Sequence, residues 1–256
     1  MIEKLEAGEK APFTAHLDEL RKRLILCIAI LFIFFMTAWP FSSYLLEPFQ
    51  SLLGGRDLVF ITPTEAFFVH VKVSFYTAAA LALPVLLYQG WAFLSPGLFK
   101  KEKKFLFRFV FASTIFFPLG AGFCFFLVLP YGLAFLLAFG GESLMPMLSI
   151  SSVMGFCLNL MFVFGIVFQL PVLVVFLNLM EIVTVDQFRN FRPYLIVSSF
   201  VISAVITPPD VFTQVVLSLP LIILYELSII LLKVIGKNGK SVEEGNDNTP
   251  IDQVED

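Results

Sequence analysis

His16-Leu17-Asp18-Glu19-Leu20-Arg21-Lys22-Arg23 runs directly into a charge-free apolar stretch, Leu24 to Leu46. That junction decides the fold class. A helix needs about 20 apolar residues to cross roughly 30 Å of hydrocarbon, and this run is long enough. The three consecutive cations at its N-terminal edge hold that edge on the cytoplasmic side, toward which Lys and Arg are biased. Phe13, Leu17, Leu20 and Leu24 recur at helical spacing. The segment is therefore expected to lie along the membrane surface as an amphipathic helix before the chain turns in. Its polar side carries two acids, Asp18 and Glu19, beside the three bases.

The rest of the composition agrees. Of 256 residues, 58% are hydrophobic and only 14% charged, where a soluble domain carries roughly 25% charged residues. This is the balance of a polytopic membrane protein with one bundle, residues 1–235. Its 32 Phe are accounted for by lipid-facing surface and helix packing. Cys27, Cys124 and Cys157 all sit inside apolar runs, without a Cys-x-x-Cys pair, and His16 and His70 lie far apart. No metal site is therefore expected. No Gly-rich phosphate loop appears; neither enzyme chemistry, a cofactor nor a nucleic-acid partner is expected. Glu3, Glu6 and Glu9 precede an apolar run longer than the ~7–15 residues of a signal-peptide core, so the first span is expected to be retained.

Taken in order, the spans are roughly Leu24 to Tyr44, Phe67 to Trp91, Phe109 to Gly141, Val153 to Met180, Pro193 to Ile206 and Val211 to Leu232. Glu47, Pro48, Gly54, Gly55, Arg56 and Asp57 read as a loop after the first. Lys72 is expected to extend along lipid to the headgroups. Ser95-Pro96 reads as a helix start. Pro118 and Pro130 predict a kinked or tilted third helix, and Gln169-Leu170-Pro171 interrupts the fourth. The fifth span is short, and Thr207-Pro208-Pro209-Asp210 must turn the chain back, because two prolines cannot continue a helix. The last two helices are thus expected to form a short hairpin. With both termini cytoplasmic, fifteen of the seventeen Lys and Arg fall on the cytoplasmic side, as the positive-inside rule requires. From Gly236 the chain is polar and acidic, and residues 236–256 are expected to be a disordered tail. The fold class is all-α integral membrane with six transmembrane helices.

Few residues offer chemistry. Asp18 and Lys22, like Glu19 and Arg23, are acid-then-base pairs at i,i+4, which support a helix by about 0.2–0.5 kcal/mol each. If Pro96 starts a helix, the neighbours of Glu102 along it are Leu98, Phe99, Phe105 and Leu106, and the basic residues Lys100, Lys101, Lys104 and Arg108 cluster on another side. Glu102 would then seek a cation elsewhere in the chain or on a partner. Gln169 sits mid-span, where a polar group needs a partner or a wet cavity, and Pro171 frees a carbonyl beside it. Asp210 can cap the last helix, and Glu226 lies inside the last span.

His16-Leu17-x-Glu19-Leu20-Arg21-x-Arg23, Pro48, Trp91-Ala92-Phe93-x-x-Pro96-x-Leu98, Glu102, Phe168-Gln169-x-Pro171 and Thr207-Pro208-Pro209-Asp210 with Gln214 together resemble the TatC family, the receptor subunits of the twin-arginine translocase. The resemblance covers roughly residues 13 to 235. It implies a curved, glove-like bundle in the inner membrane, and a cytoplasmic site that reads the Arg pair of signal peptides on folded cargo proteins. Signal-peptide contacts would come from Glu19 and Glu102, with Arg21, Arg23, Leu20, Phe93 and Lys101 around them. Gln169, Pro171, Pro48, Asp210 and Glu226 would be polar or partner contacts. The implied partners are the single-span TatA and TatB subunits, further copies of the chain, and membrane lipid, with the proton-motive force as driver. Many members carry Glu where this chain has Gln169, which cannot titrate, so hydrogen bonding is its implied role. A guanidinium binds a carboxylate bidentately and Lys does so poorly, so paired carboxylates could select arginines. The alternative reading, a small-solute secondary transporter or channel, needs a polar path with several intramembrane charges, and the sequence offers few.

Overall fold

The N-terminal helix, α1, runs unbroken from Phe13 to Ala38. The structure, a computed structural model, describes residues 13–53, 58–94, 103–138, 147–180, 182–206 and 211–243. No Gly or Pro lies between Phe13 and Ala38, so nothing ends the helix at the membrane surface. The segment expected to lie flat instead continues straight into the apolar run. The leucine stripe also faces the other way: Leu17, Leu20 and Leu24 are exposed, and the half-buried row begins at Glu19, Arg23 and Cys27. Lipid is as apolar as leucine, so leucines gain little by turning inward, whereas polar groups gain a partner.

A 3₁₀ turn at Trp39–Phe41 leads into α2, Ser42–Leu52. Glu47 and Pro48 lie within this helix rather than in the expected loop. Ser42, Leu46 and Phe49 form its buried side, at spacings of four and three, and that face outweighs the breaking tendency of a single proline. Next come the strand β1, Leu58–Val59, and the long helix α3, Pro63–Leu94. Pro63 occupies the first helical position, where its missing N–H costs nothing. β1 pairs in parallel with β2, Leu148–Ser149, placing Leu58 opposite Leu148 and Val59 opposite Ser149. The Glu65 carboxylate ties this end together: it accepts from the Ile61 N–H at 3.2 Å and the Ser149 hydroxyl at 3.0 Å. α1 and α3 run antiparallel, with His16 beside Phe93 and Trp39 beside Phe67.

The third apolar run forms α4, Lys103–Phe123, a π turn at Cys124–Val128, and α5, Leu129–Ala138. The expected irregularity is there, placed just before Pro130 rather than at Pro118. The wider turn brings Pro130 to the start of a fresh helical segment, where a proline is tolerated. The fourth run forms α6, Ile150–Val167, and α7, Leu170–Leu179, broken where Gln169-Leu170-Pro171 predicts it. The short α8, Val185–Asn190, starts with a capping box between Thr184 and Gln187. α9, Arg192–Ile206, has 15 residues, and α10 runs from Val211 to Glu243. The last helix is therefore not short, contrary to expectation. It continues past Gly236 because adding residues to an existing helix needs no new nucleus.

Among the described residues, five helical stretches are long and apolar enough to cross a membrane: His16–Leu52, Pro63–Phe93, Phe107–Ala138, Ile150–Leu179 and Gln214–Lys233; Arg192–Ala204 is a shorter apolar helix. The chain groups into two compact units, one formed by the residues up to Pro118 with Leu133–Leu158, the other by Leu119–Gly132 with the residues from Asn159 on. In the second unit, Val174, Phe188, Tyr225, Ile229 and Leu232 form one buried cluster, and Val167, Leu221 and Leu224 another. α9 and α10 meet through small residues: Ser199, Ser203 and Ser218 are buried, with hydroxyls donated to carbonyls of their own helices. Gln214 Nε2 donates to the Phe200 carbonyl at 2.9 Å.

Among the described glycines, Gly120 has the closest neighbours. A Cβ there would stand 2.5 Å from the Phe164 carbonyl oxygen and under 3 Å from Phe168 side-chain atoms. At Gly122 a Cβ would meet nothing within 4 Å. Gly120→Ala is therefore expected to destabilise the fold by about 1–3 kcal/mol through overpacking, and Gly122→Ala to leave it unchanged. Thermal unfolding of the two purified variants in detergent checks this contrast.

Candidate functional site

Where the first turns of α1 meet the last turns of α3, five polar or aromatic side chains come together. Arg23 donates Nε and Nη2 to Glu19 Oε1, at 2.9 and 2.6 Å, and Nη1 to Gln89 Oε1 at 2.8 Å. One turn further along each helix, the His16 ring stacks on Phe93, with centroids 4.3 Å apart and planes 17° apart. The spacing explains this local order. Glu19 and Arg23 are one turn apart on α1, Gln89 and Phe93 one turn apart on α3, and the antiparallel pairing brings the two rows face to face.

The geometry leaves the carboxylate half-used. The Nε–Nη2 edge of a guanidinium usually takes both oxygens of a carboxylate, but here both donors reach Oε1, while Gln89 holds the third. Among the described residues, Glu19 Oε2 has no donor. The Glu19 side chain is 38% exposed and that of Arg23 25%, so the carboxylate is partly accessible beside a fixed positive charge. Such a group can accept a further donor without first losing its internal partner.

Of the residues singled out from sequence, Glu19, Arg23 and Phe93 come together here. Leu20 and Arg21 are exposed on α1, off the row that meets α3. Lys101 and Glu102 lie outside the described residues, as do Ser95, Pro96 and the Thr207–Asp210 turn. Pro48 belongs to α2, beyond the opposite end of α1. Sequence reasoning missed Gln89, and it missed that His16 pairs with Phe93. Its own signal was available, since Gln89 precedes Phe93 by four residues in a span of otherwise apolar character.

Two further polar places lie in the second unit. At the α6–α7 break, the Gln169 N–H bonds back to the Ile166 carbonyl at 2.9 Å, three residues away instead of four, and Pro171 supplies no N–H to the Val167 carbonyl. The Gln169 side chain is half-buried, its oxygen shut off from solvent. At the base of the last hairpin, Arg192 Nη2 donates to Glu226 Oε2 at 2.6 Å, and the neighbouring Tyr225 hydroxyl donates to the Phe188 carbonyl at 2.8 Å. Adjacent residues of α10 thus catch both α8 and the start of α9. Arg192 entered the sequence reading only as a loop charge. It lies fifteen residues before Thr207, and Glu226 sixteen after Asp210, so an antiparallel hairpin about that turn brings the two level. Among the described residues no three His, Cys, Asp or Glu side chains gather as for a metal.

The fold is that of a multi-span helical membrane protein whose helices are broken within the apolar runs and whose paired charges are partly exposed. The family model described as TatC, Sec-independent protein translocase protein, matches residues 15–220. The TatC protein of Desulforapulum autotrophicum is 42% identical over 241 residues, covering 92% of this chain and 89% of its own. That of Aquifex aeolicus is 39% identical over 239 residues, covering 91% and 99%. A crystal structure of the twin-arginine translocase receptor TatC in DDM superposes with a TM-score of 0.78 at 39% identity, covering 84% of this chain and 98% of that one. The chain belongs to the TatC family of Sec-independent protein translocase proteins.

The Arg192–Glu226 pair is expected to couple by about 1 kcal/mol. Arg192→Gln and Glu226→Gln should each lower the apparent melting temperature, and the double variant should lose less than their sum. A double-mutant cycle by thermal unfolding in detergent measures the coupling.

Proposed function

We propose that this TatC-family chain is the receptor subunit that binds twin-arginine signal peptides at the α1–α3 end and starts export of their folded cargo. The observation that carries the reading is the half-used carboxylate of Glu19. Arg23, itself held by Gln89, fixes its position through one oxygen, and the other oxygen is left for an incoming guanidinium. Arg21, Leu20 and Phe93 flank the same segment, and Glu102 with Lys101 would complete the site from the stretch that follows α3 in sequence. Two acids at one surface discriminate Arg from Lys because only a guanidinium presents a planar pair of donors.

In this reading residues 1–235 form the six-helix membrane domain, with the short α9 as the fifth crossing, and the acidic tail takes no part. Both termini face the cytoplasm of a bacterial inner membrane, and the helices form a curved, glove-like bundle. TatA and TatB, together with further copies of the chain, are the partners. Pro48, Asp210, Glu226 and the Gln169–Pro171 break are contact or positioning points, with Gln169 acting through hydrogen bonds. The pairing of Glu226 with Arg192 speaks against the transporter alternative, since a solute path would need that charge unspent.

Binding of a fluorescent twin-arginine peptide to purified protein tests the site. Glu19→Gln is expected to weaken binding by about tenfold to a hundredfold, the scale of one lost charge-assisted contact. A Lys-Lys peptide should lose a similar factor on the unaltered protein. Unchanged affinity in both experiments would sink the assignment. At the α6–α7 break, Gln169→Leu should lower export of a twin-arginine reporter while peptide affinity stays within twofold or so, because the two places are separate in function; Gln169→Glu should be tolerated, as a carboxyl group there stays protonated.

A further inference from the structure

We propose that Lys72 is the centre of a binding site for the phosphate of a phospholipid headgroup, at the end of α3 and α6 that carries the β1–β2 pair. From sequence, Lys72 was expected to run along lipid toward the headgroups. The structure instead lays its side chain across to α6: a Cβ on Gly155 would lie 3.7 Å from Lys72 Nζ. Gly155 therefore leaves room for an ammonium group against the helix, which larger side chains would narrow.

Among the described residues Lys72 has no ion pair or hydrogen bond. The acid nearest in sequence, Glu65, is engaged with the Ile61 N–H and the Ser149 hydroxyl. An intramembrane ammonium left in that condition is costly and demands an anionic partner. Its surroundings point to lipid as the source. Phe68 and Phe75, four residues before and three after Lys72 on α3, are 53% and 46% exposed, so Lys72 sits in a row that borders the bilayer, half-buried at its inner edge. Ser152, three residues before Gly155 on α6, is exposed too, and offers a hydroxyl one turn nearer the strand-pair end.

Depth agrees. Gly155 is five residues into α6, about 7–8 Å along the axis at ~1.5 Å per residue. The Lys72 stem leans toward the N-terminal end of α3, which is the same end. The ammonium thus lies within reach of headgroup phosphates. An anionic headgroup is preferred over a zwitterionic one, which brings a competing ammonium of its own.

The test is lipid retention by the purified full chain, exchanged into phosphatidylcholine nanodiscs with graded phosphatidylglycerol and read by native mass spectrometry. The unaltered protein and Lys72→Arg should retain one phosphatidylglycerol more than Lys72→Gln, whose affinity should fall about tenfold, as for one charge-assisted contact. Equal retention by all three proteins would overturn the proposal. So would a zero-length carbodiimide cross-link from Lys72 to a carboxylate of another membrane protein, which would give the ammonium a protein partner instead of lipid.

Discussion

Partnering of charged and polar side chains is the constraint on which the rest depends. In hydrocarbon the aliphatic side chains gain little by facing one another, so packing alone does not set which helix faces which. Polar groups do, because each one left without a partner is costly. Arg23 holds Glu19 on its own helix and Gln89 on α3, and this turns the charged row of α1 inward and its leucines out. Arg192 and Glu226 act in the same way on α9 and α10, with the Tyr225 hydroxyl fixing α8 beside them. Both pairs are partly exposed, and partial solvation lowers the cost of holding the charges.

The apolar runs are broken in ways that serve the same need. The π turn at Cys124–Val128 and the step at Phe168–Gln169 each precede a proline, and in each the backbone changes its hydrogen-bond spacing so that the proline begins a new segment. At Gly120 against Phe164, where a Cβ would meet backbone, there is no side chain to hold the helices apart. At the strand-pair end, Glu65 and the short parallel ladder join two loops that are distant in sequence. The proposed receptor site at the α1–α3 end therefore rests on two helices joined at both ends, by Trp39 on Phe67 at one and by His16 on Phe93 at the other.

Much of this was legible beforehand. The apolar runs gave the helices, because a bilayer admits few other ways to satisfy a backbone. Pro130 and Gln169-Leu170-Pro171 marked the breaks, and the spaced motifs from His16 to Gln214 marked the family. The surface helix before the first span, the loop around Glu47 and Pro48, and the short last helix were misjudged. Each error came from reading a boundary out of local polarity, when a helix once begun continues until a residue stops it.

What the sequence determined by itself was the class of protein, the course and breaks of its apolar helices, and Glu19, Arg23 and Phe93 as residues of interest; these follow from composition, spacing and motif, which are properties of the chain in one dimension. Only the tertiary structure decided that Gln89 completes the Arg23 clamp, that Glu226 answers Arg192, and that Lys72 lies over Gly155. Those pairings join residues on different helices. The rotation and register that bring them together are set by the packing of whole helices, and hydropathy is nearly blind to them, because every face of such a helix is apolar enough for lipid.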